Sequence, residues 1–275
     1  MENSNKPLMS QSGLANAVME IAVDENGEKR PIHLVMERPL TLYVDKQEIV
    51  TLMTMGAEPE LLTLGYLKNQ GFFEDISSIK QVQVDWETDA VAVVTHQQNS
   101  DFSQQMQQRT VTTGCGQGTV YGRLIDKLKN IKVAQAGFKQ SELYALLNAL
   151  RAHNEIYKKA GAVHGCALCC NQNIEFFIED VGRHNAVDAI AGFMWLNDIE
   201  GANKVFYTTG RLTSEMVIKV AQMNIPVLVS RSGATQMGLE MARQAGVMLI
   251  SRAKGRHFLV LTEADRFLFD GLIQE

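Results

Sequence analysis

Apolar and polar residues alternate along the first hundred positions in the way that half-buried β-strands require. Turn residues separate the runs, and the Asn26-Gly27 pair supplies the positive φ angles of a tight hairpin. Leucines at helical spacing, followed by Gly71, predict one helix over residues 58–69. The predicted strands are residues 19–23, 30–35, 40–44, 48–52, 79–84 and 91–95. The first half is therefore predicted to be α+β.

Beyond the glutamine-rich residues 96–108, helices and strands alternate. The predicted helices are residues 141–160, 184–196, 213–223 and 236–244, and the predicted strands are residues 162–168, 174–178, 205–207, 227–229 and 247–250. Ser141 is the predicted N-cap of the first of these helices, and Gly161 its stop. Strands that alternate with helices of this length are joined by crossover connections, so we expect an α/β fold with a largely parallel sheet covered on both faces.

The pattern divides the chain into three predicted parts. Residues 1–18 are expected to be a disordered tail, and residues 19–118 a smaller N-terminal α+β domain that ends in a mobile cysteine loop. Residues 119–275 are expected to be an α/β/α domain. The sequence leaves open whether the protein is a monomer or a homodimer.

The composition of the chain argues against several classes of protein. The chain has 275 residues, of which 45% are hydrophobic, and a net charge of −5, with no block of Lys or Arg that would attract nucleic acid. No apolar run approaches the roughly 18–20 residues that cross a bilayer, and the first residues lack the apolar core of a signal peptide. Four cysteines, two of them adjacent, do not make a secreted disulfide scaffold. We therefore predict a cytoplasmic protein that binds neither nucleic acid nor membrane.

Polar segments follow the predicted strands of the second half, where ligands bind in open α/β sheets. The candidate binding residues there are Asp180, Arg183, His184, Arg211, Ser230, Arg231, Ser232, Arg252 and Arg256, and the strand that starts near His164 belongs to the same sheet. Arginine forks suit phosphate oxygens, and helix N-termini favour anions. The arginines are expected to converge on one sheet edge and to bind a pyrophosphate-bearing ligand.

Two alternatives stay open at this sheet edge. In any single segment of this kind, the hydroxyls more often only cap a helix and the arginine is more often only solvated. A binding site is favoured because four such segments follow the strands of one sheet. His184 and Asp188 lie four residues apart on one predicted helix. They are compatible with acid/base chemistry and equally with a histidine that only satisfies a carboxylate or a backbone group inside a polar cleft.

The cysteines suggest two further sites. Cys115 lies between glycines and hydroxyl residues in TTGCGQG, which is typical of an accessible loop thiol that acts as a nucleophile or carrier, whereas most lone cysteines are inert and buried. Cys166 and Cys169 have the spacing of a metal or redox pair. On a strand they face opposite sides, so we expect core packing and no metal site.

Several segments together resemble one known family. In the second half they are EDVGRHNAVD, TTGRLTSEMV and IPVLVSRSGAT, and in the first half ERPLTLYVDKQEIVTLM and LLTLGYLKNQGFF. In this order, over about residues 20–265, they resemble the formate dehydrogenase accessory sulfurtransferases of the FdhD/NarQ family. The resemblance implies a cytidine-deaminase-like three-layer α/β/α fold for the second half. The deaminase zinc signatures are missing, so no metal of its own is expected.

The resemblance also implies a function. Such proteins take persulfide sulfur from a cysteine desulfurase and pass it to the molybdenum of bis-molybdopterin guanine dinucleotide, bound as a substrate, which makes the formate dehydrogenase apo-enzyme active. Cys115 matches the first cysteine of the family's CGxCG loop, whereas Gly118 stands where the second is usual. The family's segment for contacts with the cofactor and its guanine nucleotide moiety falls on Ser251, Arg252, Ala253, Lys254, Gly255 and Arg256.

Three function hypotheses therefore compete. The leading one is a sulfurtransferase with a persulfide at Cys115. The second is a non-catalytic chaperone that binds the guanine-dinucleotide cofactor and delivers it to the apo-enzyme, and the glycine at position 118 favours it. The third, a metal hydrolase related to the deaminases, is disfavoured because its zinc ligands are absent from the sequence.

Overall fold

The computed structural model describes residues 6–14, 17–97, 110–111, 118–119 and 131–271. It contains a five-stranded sheet from the first half, a six-stranded sheet from the second half and three two-stranded sheets. The mixed α/β class predicted from the sequence is confirmed. Within the described part of the chain, no helix combines the length and the apolar character needed to span a bilayer.

The first sheet has the strand order β1-β6-β7-β4-β5. Its elements are β1 (Leu8–Met9), β4 (Arg38–Val44), β5 (Gln47–Thr54), α1 (Pro59–Gln70), β6 (Ile79–Asp85) and β7 (Ala90–Thr95). The predicted strand pairs and the predicted helix are present, and Gly71 ends α1 with a positive φ of 75°. The expected disordered tail is corrected at β1, because Leu8 and Met9 pair in parallel with Gln81 and Val82.

The predicted hairpin around Asn26-Gly27 is a separate two-stranded ribbon, β2 (Ala17–Val23) and β3 (Lys29–Val35). Gly27 adopts a φ of 79°, as the turn requires. Two short strands, β8 (Thr110–Val111) and β9 (Gly118–Thr119), pair in antiparallel orientation.

The second sheet has the strand order β12-β11-β13-β14-β15-β16. Its strands are β11 (His164–Cys170), β12 (Asn173–Asp180), β13 (Val205–Thr208), β14 (Val227–Ser230), β15 (Met248–Lys254) and β16 (His257–Val260). The helices after β12, β13 and β14 are α4 (Arg183–Leu196), α5 (Ser214–Gln222) and α6 (Gln236–Ala245). Only the β13-β14 and β14-β15 pairs are parallel, so the prediction of a largely parallel sheet is wrong.

The predicted helix over residues 141–160 is two helices, α2 (Gln140–His153) and α3 (Glu155–Ala160). The break falls at Asn154, whose side-chain amide donates to the carbonyl oxygen of Leu150 at 2.7 Å. Ser141 is not the N-cap, because α2 begins at Gln140 and Lys139 is its N-cap. The backbone N–H and the hydroxyl of Ser141 both donate to the Asp270 carboxylate. The remaining small elements are β10 (Phe138–Lys139), paired with β17 (Phe267–Leu268), and 3-10 turns at Ile76–Ser78 and Ala264–Arg266.

Helices cover both faces of the second sheet. The apolar face of α2 packs on side chains such as Ala167 and Tyr207, whereas α4, α5 and α6 pack with Cys166 and Phe206 on the opposite face. Helix α1 lies against α4, so the core of the first half continues into that of the second. This arrangement brings the polar ends of the second sheet to one accessible edge.

Candidate functional site

One edge of the second sheet collects the carboxyl ends of β12, β13 and β14. Residue pairing places the amino end of β11 at the same edge, because His164 lies opposite Asp180 and Cys166 opposite Thr208. Thr208 in turn lies beside Ser230. The polar segments that follow these strands are therefore neighbours in space, as the sequence predicts.

Buried hydroxyl groups fix the backbone of this edge. The N–H of Gly210 donates to the Thr208 hydroxyl at 3.0 Å, and the Ser230 hydroxyl donates to the Gly210 carbonyl oxygen at 2.6 Å. The Ser230 oxygen also accepts the N–H of Ser232 at 2.9 Å. Ser230 is fully buried, so it shapes the site rather than offering a free hydroxyl to a ligand.

A groove of about 630 Å³ lies at this edge, a volume typical of small-molecule sites. Four residues predicted from the sequence line it: His164, Arg231, Ser232 and Lys254. The other lining residues are Tyr157, Gly161, Ala162, Val163 and Thr209. The sequence pattern does not single out these five residues: Tyr157 falls within the longer predicted helix, the next three follow that helix, and Thr209 directly follows β13. The helix-breaking Asn154 was the signal that could have revealed a separate segment.

The groove favours an anion. Arg231 and Lys254 are cationic, and none of its lining residues is acidic. The Arg231 guanidinium lies 5.6 Å from the centre of the Tyr157 ring, a cation–π distance. It also bonds to the hydroxyl of Tyr207, whose pKa is raised mainly by burial, so that the phenol stays protonated. The hydrogen bond to Tyr207 holds Arg231 at the wall of the groove.

Two more arginines, Arg183 and Arg211, lie close enough to His164 of the groove to affect its charge. Burial lowers the pKa of His164, and the charges of Arg183 and Arg211 lower it further. Arg183 is 6% exposed, and its buried Nε has no hydrogen-bond partner in the described structure. An anion in the groove would offset the repulsion that these two arginines add to the effect of burial on His164.

Two of the predicted binding residues are engaged inside the protein. Both carboxylate oxygens of Asp180 accept hydrogen bonds, from Thr54 and the Met55 N–H on one side and from the Gly182 N–H and Asn185 on the other. Asp180 therefore ties the end of β5 to the start of α4. His184 is 2% exposed, and its Nε2 lies 3.3 Å from Glu215. The structure thus favours the carboxylate-pairing alternative for His184.

The predicted convergence of all five arginines is wrong. A β-bulge interrupts β15 between Ser251 and Lys254, and Arg252 within it has a φ of 52°. Arg252 and Ser251 line a separate cavity of about 220 Å³ beside α6. Ala253 is buried in the core, and Gly255 and Arg256 form the turn into β16, where the Arg256 carbonyl oxygen accepts the Tyr144 hydroxyl. Of residues 251–256, only Lys254 reaches the groove.

The structure describes the positions of Cys166, Cys169 and Cys170 but not that of Cys115. Cys115, the predicted sulfur carrier, lies outside the described residues, between β8 and β9 in the sequence. Cys166 and Cys169 are buried and pack on opposite faces of the sheet, as strand geometry predicts. Burial raises the pKa of each of these two thiols to about 12, so neither is a ready thiolate.

Titration of His184 is expected to make stability depend on pH. Burial, and next the charge of Lys219, lowers the pKa of His184 to about 2, whereas the unfolded chain protonates it near pH 6.5. Between these values the unfolded state binds the extra proton, so the free energy of unfolding falls as the pH drops through 6.5. Below pH 6.5, His184 is expected to lower the free energy of unfolding by about 1.4 kcal/mol for each pH unit.

Urea unfolding at about pH 7.5 and about pH 5.5 measures this effect. Wild type should lose about 1 kcal/mol more between the two conditions than His184→Asn does. The exposed His33, replaced by Asn, is the matched control and should behave as wild type. Equal losses in wild type and His184→Asn would contradict a buried neutral imidazole.

Comparisons with known proteins agree with the fold. The model of the FdhD/NarQ family matches residues 35–268. The sulfur carrier protein FdhD of Wolinella succinogenes is 25% identical over 254 residues, which cover 90% of this chain and 89% of that protein. The sulfur carrier protein FdhD of Bacillus subtilis is 27% identical over 254 residues, which cover 91% of this chain and 97% of that protein.

A solved structure supports the same architecture. It is the crystal structure of a Desulfotalea psychrophila protein provisionally assigned as a formate dehydrogenase accessory protein, with a TM-score of 0.75 and 23% identity. The alignment covers 92% of this chain and 100% of that one, so the fold is shared along nearly the whole length. Because the family model spans most of the chain, the protein belongs to the FdhD/NarQ family.

Proposed function

We propose that this protein is a sulfurtransferase that carries sulfur for formate dehydrogenase, with Cys115 as the carrier residue. The observation that carries the proposal is the family match over residues 35–268, together with curated relatives that are named sulfur carrier protein FdhD. A cysteine desulfurase is the proposed donor. The proposed acceptor is the bis-molybdopterin guanine dinucleotide cofactor destined for the apo-enzyme.

The loading step needs one thiol. The Cys115 thiolate attacks the outer sulfur of the donor's persulfide, the S–S bond of the donor breaks, and the donor cysteine leaves as a thiolate. The product is a persulfide on Cys115. Gly118 stands where the family usually has its second cysteine, yet no resolving thiol takes part in this exchange.

The groove at the sheet edge is the proposed binding site for the guanine-dinucleotide part of the cofactor. Arg231 and Lys254 would neutralise phosphate oxygens, and Ser232 and His164 would donate hydrogen bonds to them. Arg183 and Arg211 extend the positive potential beyond His164. The site is accessible at the mouth and cationic within, as a phosphate-bearing substrate requires.

Mass spectrometry after incubation with a cysteine desulfurase and cysteine tests the carrier role. Wild type should gain one sulfur atom on Cys115, and Cys115→Ala should gain none. Cys170→Ala is the matched control, because Cys170 is also partly exposed, and it should gain sulfur as wild type does. A wild-type protein that gains no sulfur on Cys115 but still activates formate dehydrogenase would favour the chaperone hypothesis, which the glycine at position 118 motivates.

A further inference from the structure

Tyr157 is an exposed aromatic residue in the groove. It lies in the short helix α3, 43% of its surface is exposed, and it lines the groove together with Arg231 and Lys254. The Arg231 guanidinium sits over its ring. An aromatic ring that stays partly exposed in a groove, next to cations, is typical of a surface on which a planar ligand group stacks.

Glu179 holds the backbone of Tyr157 in place. Its two carboxylate oxygens accept the N–H groups of Ile156 and Tyr157, each at 3.0 Å. Glu179 is 5% exposed and lies on β12, opposite Gly165 of β11. The central sheet therefore fixes the position of α3, and with it the position of the ring. Such rigid support lowers the entropy lost when a ligand orders against the ring.

We propose that Tyr157 is the base-stacking residue of this groove and that Glu179 is its positioning residue. The proposal rests on the proposed function, in which the groove takes the nucleotide part of the cofactor. The nucleobase lies against the exposed face of the Tyr157 ring, opposite the face that Arg231 covers, and the phosphates of the same nucleoside diphosphate reach Arg231 and Lys254. The groove volume of about 630 Å³ accommodates both parts.

A stacking role for Tyr157 predicts which ligands lose affinity when the ring is removed. A ring face attracts any nucleobase, whereas base identity is read by hydrogen bonds to the base edge. Tyr157 should therefore strengthen binding of GDP and ADP by similar factors, and it should contribute nothing to inorganic pyrophosphate, which has no base. The phosphate-binding residues should contribute to all three ligands.

Calorimetry on the full chain with GDP, ADP and inorganic pyrophosphate tests the proposal. Tyr157→Ala should weaken GDP and ADP binding about five- to a hundredfold, the range that base–aromatic stacking covers. It should change pyrophosphate affinity by less than about twofold. Tyr157→Phe keeps the ring face and should bind all three ligands as wild type does. Unchanged pyrophosphate binding also shows that the variants are folded.

Glu179→Gln tests the positioning role. The glutamine amide presents a donor to a backbone N–H, so α3 should shift, and GDP affinity should fall while pyrophosphate affinity stays. Suppose that the wild-type protein binds both GDP and pyrophosphate, and that Tyr157→Ala binds GDP with unchanged affinity. That result would overturn the stacking proposal and leave the proposed function standing. Equal losses of GDP and pyrophosphate affinity would overturn the stacking proposal as well. A wild-type protein that binds neither GDP nor pyrophosphate would refute the nucleotide-binding role of the groove itself.

Discussion

Replacing Lys219 by methionine is expected to lower the free energy of unfolding by about 3–5 kcal/mol. Lys219 on α5 is fully buried, and its ammonium group lies 2.8 Å from the fully buried carboxylate of Asp188 on α4. Asn69 on α1 donates to the other carboxylate oxygen at 2.7 Å. Methionine fills a similar volume, but it leaves Asp188 as an uncompensated buried charge with one donor.

Denaturant unfolding measures this loss, and its pH dependence identifies the cause. Burial raises the pKa of Asp188, and Lys219 opposes that rise. Without Lys219 the carboxyl takes up a proton more readily, so the penalty should be smaller at about pH 5 than at about pH 8. The double variant Asp188→Asn, Lys219→Met removes both charges and should be more stable than the single variant at about pH 8. A single variant that loses less than about 1 kcal/mol would contradict the prediction.

The local elements were largely predictable from the sequence. The period of two in the first half identified three strand pairs, and the Asn26-Gly27 turn located the ribbon β2-β3. The helices α4, α5 and α6 begin and end within about two residues of their predicted bounds. These features depend on short-range patterns of burial and on turn residues, which a single sequence displays directly.

Features set by contacts between distant segments were not predictable. Asp180 has the position of a ligand-binding residue in the sequence, but its partners are Thr54, at the end of β5, and the next residue, Met55, about 125 positions earlier in the chain. Arg252 lines a different cavity from Arg231 because of the β-bulge in β15. This bulge is a register shift against β16, a strand that the sequence pattern does not predict. The groove itself needs the break between α2 and α3, which a continuous helical spacing concealed.

The crossing of α1 and α4 depends on two glycines. A Cβ atom on Gly65 of α1 would overlap the carbonyl oxygen of Asp188, and a Cβ on Gly192 of α4 would overlap the carbonyl oxygen of Leu61. Both obstacles are backbone atoms of a facing helix, so no side-chain rotation can relieve them. This contact also carries the Asn69–Asp188 hydrogen bond and joins the two halves of the core.

Replacing Gly65 by alanine is therefore expected to destabilise the protein by about 3 kcal/mol or more. Helix propensity alone would favour alanine by about 1 kcal/mol, so the sign of the change separates packing from propensity. Gly137→Ala is the matched control, because its Cβ would lie 3.6 Å from the nearest atom, the Arg266 carbonyl oxygen, at ordinary contact distance. Thermal and urea unfolding of both variants give the comparison. A Gly65→Ala protein as stable as Gly137→Ala would mean that the helices can separate without cost, and the close crossing would then not hold the two halves together.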